Sequence, residues 1–187
     1  MRPFAFSILT LLLATSALAA DPATQVADPR IEPLSAVSVG GQVTVRFNLA
    51  NAFDKRRVDQ IESGAQTLIT YVVEIFRDRP NWFDESIDRL RIEVICTLNS
   101  VTREYLLNYR RDRRLVRSET FSDLASLQKA MTAIDEKDLF DIGKRRPYKI
   151  KVRVRADLMR TWRFYIVPWE ITTRWRETRV QCPECKP

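Results

Sequence analysis

The chain has 187 residues, 45% of them hydrophobic, and 31 Lys+Arg against 24 Asp+Glu give it a formal charge of +7. With only four glycines and 10% aromatics, this composition excludes a disordered or low-complexity polypeptide and suits one domain burying about 70% of its unfolded surface. The absence of histidine excludes Ser-His-Asp and Cys-His catalysis and imidazole-ligated metal centres in their usual forms, which leaves carboxylates, lysine, tyrosine or cysteine for any enzymatic reading.

Residues 1–20 read as a secretory signal peptide. Arg2 precedes an apolar run from Phe4 to Leu13, and Ala17-Leu18-Ala19 fits the small-x-small cleavage pattern just ahead of the polar Asp21-Pro22. The apolar core is short for a membrane span, so no transmembrane segment is expected after cleavage. Residues 21–32 are Pro-, Ala- and Asp-rich and mark a flexible mature N-terminus, with order beginning near Ile31. Next, Ala36 to Val39 and Gln42 to Leu49 flank Gly40-Gly41, a hairpin pattern whose paired glycines supply the positive φ of a tight turn. Val43, Val45, Phe47 and Leu49 share one face and Arg46 and Asn48 the other.

Asp54 stands where a helix N-cap belongs, with Phe53 and Val58 at the spacing of a hydrophobic staple, Ile61 toward the core and Gly64 as the C-terminal stop. The stretch from Thr67 to Leu98 organises the chain. Two apolar, β-forming arms, Thr67 to Phe76 and Leu90 to Leu98, face each other across a break at Pro80-Asn81 and an aromatic corner at Trp82-Phe83-Asp84. Leu68, Val72 and Phe76 interrupt the polar face of the first arm, as in a central strand covered on both sides. Cys96 falls on the apolar face, where a free cysteine acts as a small buried hydrophobe.

Tyr105, Leu107 and Tyr109 lead into Arg110-Arg111-Asp112-Arg113-Arg114, and the chain returns from Leu115 to Phe121, a hairpin with a basic tip. Such a tip suits lipid phosphates, while solvation is the alternative; export sets nucleic acid aside. Ser122 is expected to cap a helix carrying Leu124, Leu127, Met131 and Ile134 on one face, followed by a charged connection from Asp135 to Pro147. From Tyr148 to Arg155 the pattern alternates throughout. Lys149, Lys151, Arg153 and Arg155 form a row of cations about 7 Å apart opposite Tyr148, Ile150, Val152 and Val154. This row is a candidate anion-binding face with Lys144-Arg145-Arg146 and the tip arginines Arg110, Arg111, Arg113 and Arg114; the alternative is pairing with carboxylates on neighbouring strands.

Trp162 to Trp175 reads as a last strand, on an edge or bent at a bulge because Pro168 cannot donate to a ladder. The tail holds Cys182 and Cys185 in a C-x-x-C within the last six residues, with two prolines and no following helix. This disfavours a thioredoxin-like redox site and leaves a Cys182–Cys185 disulfide or intermolecular pairing. The expected organisation is a leader over 1–20, a flexible stretch over 21–32, one β domain over 33–176 and a tail over 177–187.

The succession Val45-Arg46-Phe47-Asn48-Leu49, Phe53, Ile61-Glu62-Ser63-Gly64, Val73-Glu74-Ile75-Phe76-Arg77, Arg79, Trp82-Phe83-Asp84, Phe121 with Leu124, and Tyr148-Lys149-Ile150-Lys151-Val152-Arg153 resembles an exported bacterial family known as domain of unknown function 4390. The resemblance spans about Ser35 to Trp175. It rests on core, cap and turn residues, so it implies a fold and carries over no catalytic or ligand residues.

The expected fold is an antiparallel β-sandwich of seven to nine strands, immunoglobulin-like in broad architecture, with two short helices in its connections; one antiparallel sheet covered by helices is the alternative. The expected function is a non-catalytic module of the cell envelope. Its partner would be an anionic envelope lipid or polymer, or an envelope protein, with no cofactor or metal. The alternative is a carboxylate-based hydrolase of envelope polymers, using residues such as Asp84, Glu85, Glu93 and Glu119.

Overall fold

The computed structural model describes residues 27–79, 82–143, 149–163 and 167–183. The leader, the Lys144-Arg145-Arg146 cluster, Pro80, Tyr148, Tyr165 and Cys185 lie outside them. The chain folds as an antiparallel β-sandwich with two short helices, in which a three-stranded sheet packs on a seven-stranded one. β1 (Arg30–Val39), β2 (Gln42–Ala50) and β7 (Ala133–Asp141) form the small sheet in the order β1-β2-β7. The large sheet runs β10-β8-β3-β4-β5-β6, from β10 (Arg176–Arg179) and β8 (Ile150–Arg163) through β3 (Thr67–Arg77) and β4 (Glu85–Asn99) to β5 (Glu104–Arg111) and β6 (Arg114–Phe121); β9 (Val167–Thr172) also pairs with β8. The sandwich with two short connecting helices is the expected fold, with ten described strands where seven to nine were expected.

The alternating runs behave as period-2 sterics require. Val43, Val45, Phe47 and Leu49 are buried from the small sheet, and Ile69, Tyr71, Val73 and Ile75 from the large one, so one face of each sheet makes the core. β3 is hydrogen-bonded to both β4 and β8. That central position explains why its second face is also covered, with Val72 fully buried and Phe76 nearly so. At the β1–β2 turn Gly40 and Gly41 take φ +58° and +86°. A Cβ on Gly41 would stand 2.8 Å from the carbonyl oxygen of Gly143, where Ile142 N–H donates to the Gly41 carbonyl, so both backbone freedom and close approach require glycine.

Each of the two helices lies in a crossover between the sheets. α1 (Lys55–Glu62) joins β2 to β3, and α2 (Leu124–Thr132) joins β6 to β7. Asp54 caps α1 by accepting from Arg57 N–H, and Ile61 is its fully buried residue, with Val58 half-buried. On α2 the cap is Asp123, which accepts from Ser126 N–H, and not Ser122. Leu127 and Met131 are buried as expected, whereas Ile134 belongs to β7.

β7 replaces the charged connection expected after Asp135. Val43 pairs with Phe140 and Val45 with Glu136, so three residues oppose one and form a bulge containing Asp138 at φ +50°. The bulge breaks period-2 alternation, and Glu136-Lys137-Asp138 then reads as a loop. The single last strand expected from Trp162 to Trp175 is interrupted instead. Thr173 N–H donates to the Ala156 carbonyl while its hydroxyl accepts from Ala156 N–H, between the stretches of β8 paired with β9 and with β10.

The ordered fold reaches into both flanking stretches. β1 starts at Arg30 with Ile31 buried, inside the stretch assigned to a flexible N-terminus. Beyond β10, Val180 is buried and Gln181 bridges to Val37 of β1, with Ser38 N–H donating to the Gln181 carbonyl at 2.7 Å. Trp82 and Phe83 are largely exposed, so the aromatic corner does not pack into the core.

Candidate functional site

The expected cation row lies on the outer face of β8, with Ile150, Val152 and Val154 buried beneath it. Cross-strand register decides what it faces. Glu74 of β3 sits opposite Arg153 on one side and Arg89 of β4 on the other. Its carboxylate lies 2.6 Å from Arg153 and 3.3 Å from Arg89. Lys151 is 3.2 Å from Asp78 and 3.3 Å from Glu177 of β10. Burial alone would lower the Lys151 pKa, but its hydrogen bonds to these two carboxylates raise it. Arg155 lies 3.3 Å from Asp157, although its Nε and Asp157 Oδ1 are buried without a well-aligned hydrogen bond.

Aromatic rings cover the same cations. The Arg153 guanidinium stands 4.7 Å from the Trp175 ring and 5.3 Å from Phe76, and Arg155 stands 5.0 Å from Trp175. Lys149, just before β8, is exposed, and its carbonyl accepts from Asp78 N–H. Lys151, Arg153 and Arg155 therefore act chiefly within the sheet, each matched to a carboxylate.

The hairpin tip differs. Arg111 turns toward the small sheet and pairs with Glu136 of β7. Arg110, Arg113 and Arg114 are at or near the surface and make no ion pair with any described residue. The two-residue turn between β5 and β6 is Asp112-Arg113, at φ +45° and +68°. Asp112 is tied to β4, because its N–H donates to the Arg91 carbonyl and its Oδ1 accepts from Arg91 N–H. A left-handed conformation at an arginine costs roughly 1 kcal/mol relative to glycine, so the turn presents the Arg113 side chain at a local energetic cost. Leu115 and Val116 beside it are 61% and 55% exposed, and β6 contributes no fully buried residue.

The four carboxylates of the hydrolase alternative are not brought together. Glu85 is held by Arg77 and Arg79 at the start of β4. Glu93 pairs in register with Arg110 and Glu119 with Leu107, which puts them on opposite faces of the sheet. Neither the cleft beside α1, lined by Phe53, Arg56, Leu68, Leu158 and Ile171, nor the open groove between residues 28–32 and 171–176 includes any of the four. Among the described residues no three Cys, Asp or Glu side chains are grouped to hold a metal ion, and no helix is long and apolar enough to cross a membrane.

Of the sulfurs, Cys96 is free and buried, and Cys182 is disulfide-bonded. The carboxylates that face Lys151 and Arg153 from other elements, Asp78, Glu177 and Glu74, and the Trp175 contact were invisible in the sequence because they depend on strand register. The exposure of Leu115 and Val116 was missed for a related reason: a returning strand shows the same apolar residues whether or not a layer covers it. A family model described as Domain of unknown function (DUF4390) matches residues 27–177. No curated protein and no solved structure matches the chain.

Proposed function

The chain belongs to the DUF4390 family, and from that premise we propose that it is an exported, non-catalytic module that docks on an anionic surface of the cell envelope through the β5–β6 hairpin. The observation carrying this reading is the hairpin tip: Arg110, Arg113 and Arg114 have no ion-pair partner among the described residues and adjoin the exposed Leu115 and Val116. Cations free of internal partners each contribute about 1 kcal/mol near an anionic membrane surface, and adjacent aliphatic side chains add burial at the headgroup boundary. Lys151, Arg153 and Arg155 of β8 are already matched to carboxylates and play the smaller part. A phosphate-bearing lipid leaflet is the partner this chemistry fits.

The test is cosedimentation with vesicles of phosphatidylglycerol and phosphatidylcholine against phosphatidylcholine alone. Wild type is expected to bind only the anionic vesicles, and more weakly as salt rises. Arg113→Glu plus Arg114→Glu should weaken binding by about tenfold or more, while Lys149→Glu plus Arg153→Glu should change it far less. Equal binding by wild type and the tip variant would sink the docking site. Export has its own readout in the mature N-terminus, expected at Ala20 or Asp21; recovery of intact Met1 in the membrane fraction would overturn it.

A further inference from the structure

We infer that the open edge of β6 is a homodimer interface, at which a second copy adds its own β6 antiparallel across a two-fold axis through Ser118. Among the described residues β6 hydrogen-bonds only to β5 and ends the seven-stranded sheet. Along its other edge the backbone N–H and C=O groups of alternate residues have no described strand partner, and the strand, bulged next to Leu115, carries exposed Leu115 and Val116 and neither proline nor lysine. An edge of this kind is a template for another strand.

The sequence of β6 selects its own copy. Opposed residues in an antiparallel pair must lie on one face of the sheet, and pairing with β5 fixes those faces. Arg117, Glu119 and Phe121 oppose Tyr109, Leu107 and Tyr105 on the inner face, while Ser118 and Thr120 oppose Asn108 and Leu106 on the outer one. A two-fold through Ser118 therefore sets Arg117 against the second copy's Glu119, and Glu119 against its Arg117. The bulge between Arg117 and Leu115 turns Leu115 to the outer face opposite Arg110, so the paired run is centred on Arg117 to Glu119, with Val116 at its margin. A shift of one residue would oppose inner to outer side chains. Moving the axis to Arg117 or Glu119 would set a like charge on itself. Within one copy Arg117 already lies 3.3 Å from Glu119 and stacks 3.9 Å over the Tyr109 ring, so both charges are held in place on the inner face. The product is one sheet continuous through both copies, joined by a backbone ladder and two reciprocal ion pairs. An interface of that extent is small, which fits a micromolar dimer. This inference does not depend on the hairpin tip binding an anionic surface.

Sedimentation velocity of the full mature chain tests it. Wild type is expected to shift from monomer toward dimer across the micromolar range. Arg117→Glu and Glu119→Arg each place two like-charged pairs in the interface and should weaken the dimer about tenfold or more. Mixing the two variants restores both opposite-charge pairs, so the mixture should form a heterodimer with near wild-type affinity. That rescue also shows that both variants are folded. Val116→Lys, which leaves the Arg117 and Glu119 pairs intact, should weaken the dimer as well. Wild type that stays monomeric up to about 0.5 mM, single variants that dimerise like wild type, or a mixture that stays monomeric would each overturn the inference.

Discussion

Tyr71→Ala is expected to destabilise the domain by about 4 kcal/mol, lowering the thermal midpoint by roughly 10 °C or more. Tyr71 projects from the central strand β3 and is fully buried. Its ring meets Phe47 of β2 edge-on at a centroid distance of 5.1 Å, so the pair links the two sheets. Its hydroxyl donates to the Met131 carbonyl at 2.8 Å, and the Tyr109 hydroxyl donates to the Ala130 carbonyl at 3.2 Å. Both acceptors belong to the last turn of α2, whose final carbonyls have no partner inside the helix. Two tyrosines of the large sheet thus anchor the crossover helix that returns the chain to the small one. Tyr71→Ala removes the inter-sheet ring contact, opens a cavity and leaves a buried carbonyl unpaired, whereas Tyr71→Phe removes only the hydrogen bond and should cost about 1–2 kcal/mol. Urea midpoints of the three proteins measure both effects. A loss below about 1 kcal/mol for the alanine variant would show that the sheets are held together elsewhere.

Tyr71 also marks where sequence reading succeeds and where it stops. Its place on an apolar face beside Ile69, Val73 and Ile75 follows from alternation, and so do the antiparallel pairing of β3 with β4 and the Gly40-Gly41 hairpin. These are local patterns, one or two elements wide. The hydroxyl's partner lies 60 residues away on a helix, and no local pattern encodes it. The cation row on β8 is a parallel case: the alternation of Lys151, Arg153 and Arg155 with apolar residues was legible, but the neutralisation of Lys151 and Arg153 by Asp78, Glu177 and Glu74 depends on register with β3 and β10. β7 was lost because its bulge erases the period on which strand recognition depends. At the tip the arginines were legible, while the absence of an ion-pair partner among the described residues depends on how the surrounding strands are placed.

The second large effect is alkaline destabilisation beginning near pH 9, and its sign follows from three buried acids. Burial pushes the Cys96 thiol from 9.0 to about 11. Burial likewise pushes the Tyr109 hydroxyl from 10.0 to about 12, against the opposing pull of Arg117, and moves Tyr71 well above 10.0. Each group has a higher pKa folded than unfolded, so above pH 9 the unfolded chain releases protons that the folded chain keeps. The unfolded state then binds fewer protons, and stability must fall as pH rises; below about pH 8.5 these groups contribute no slope. Two units on Cys96 amount to about 2–3 kcal/mol, lost between pH 9 and 11, and Tyr109 adds a similar loss about one unit higher. Urea midpoints at pH 7, 9, 10 and 11 should therefore be level at first and then drop progressively. Cys96→Ala, though less stable at neutral pH, should remove the part of the slope between pH 9 and 10 and leave the tyrosine part above it. The same burial denies Cys96 both solvent and thiolate character, so iodoacetamide at pH 8 should spare it in the native protein and modify it in urea. A midpoint that stays level to pH 11, or rapid native alkylation of Cys96, would mean that the β3–β4 core opens to water far more readily than its packing implies.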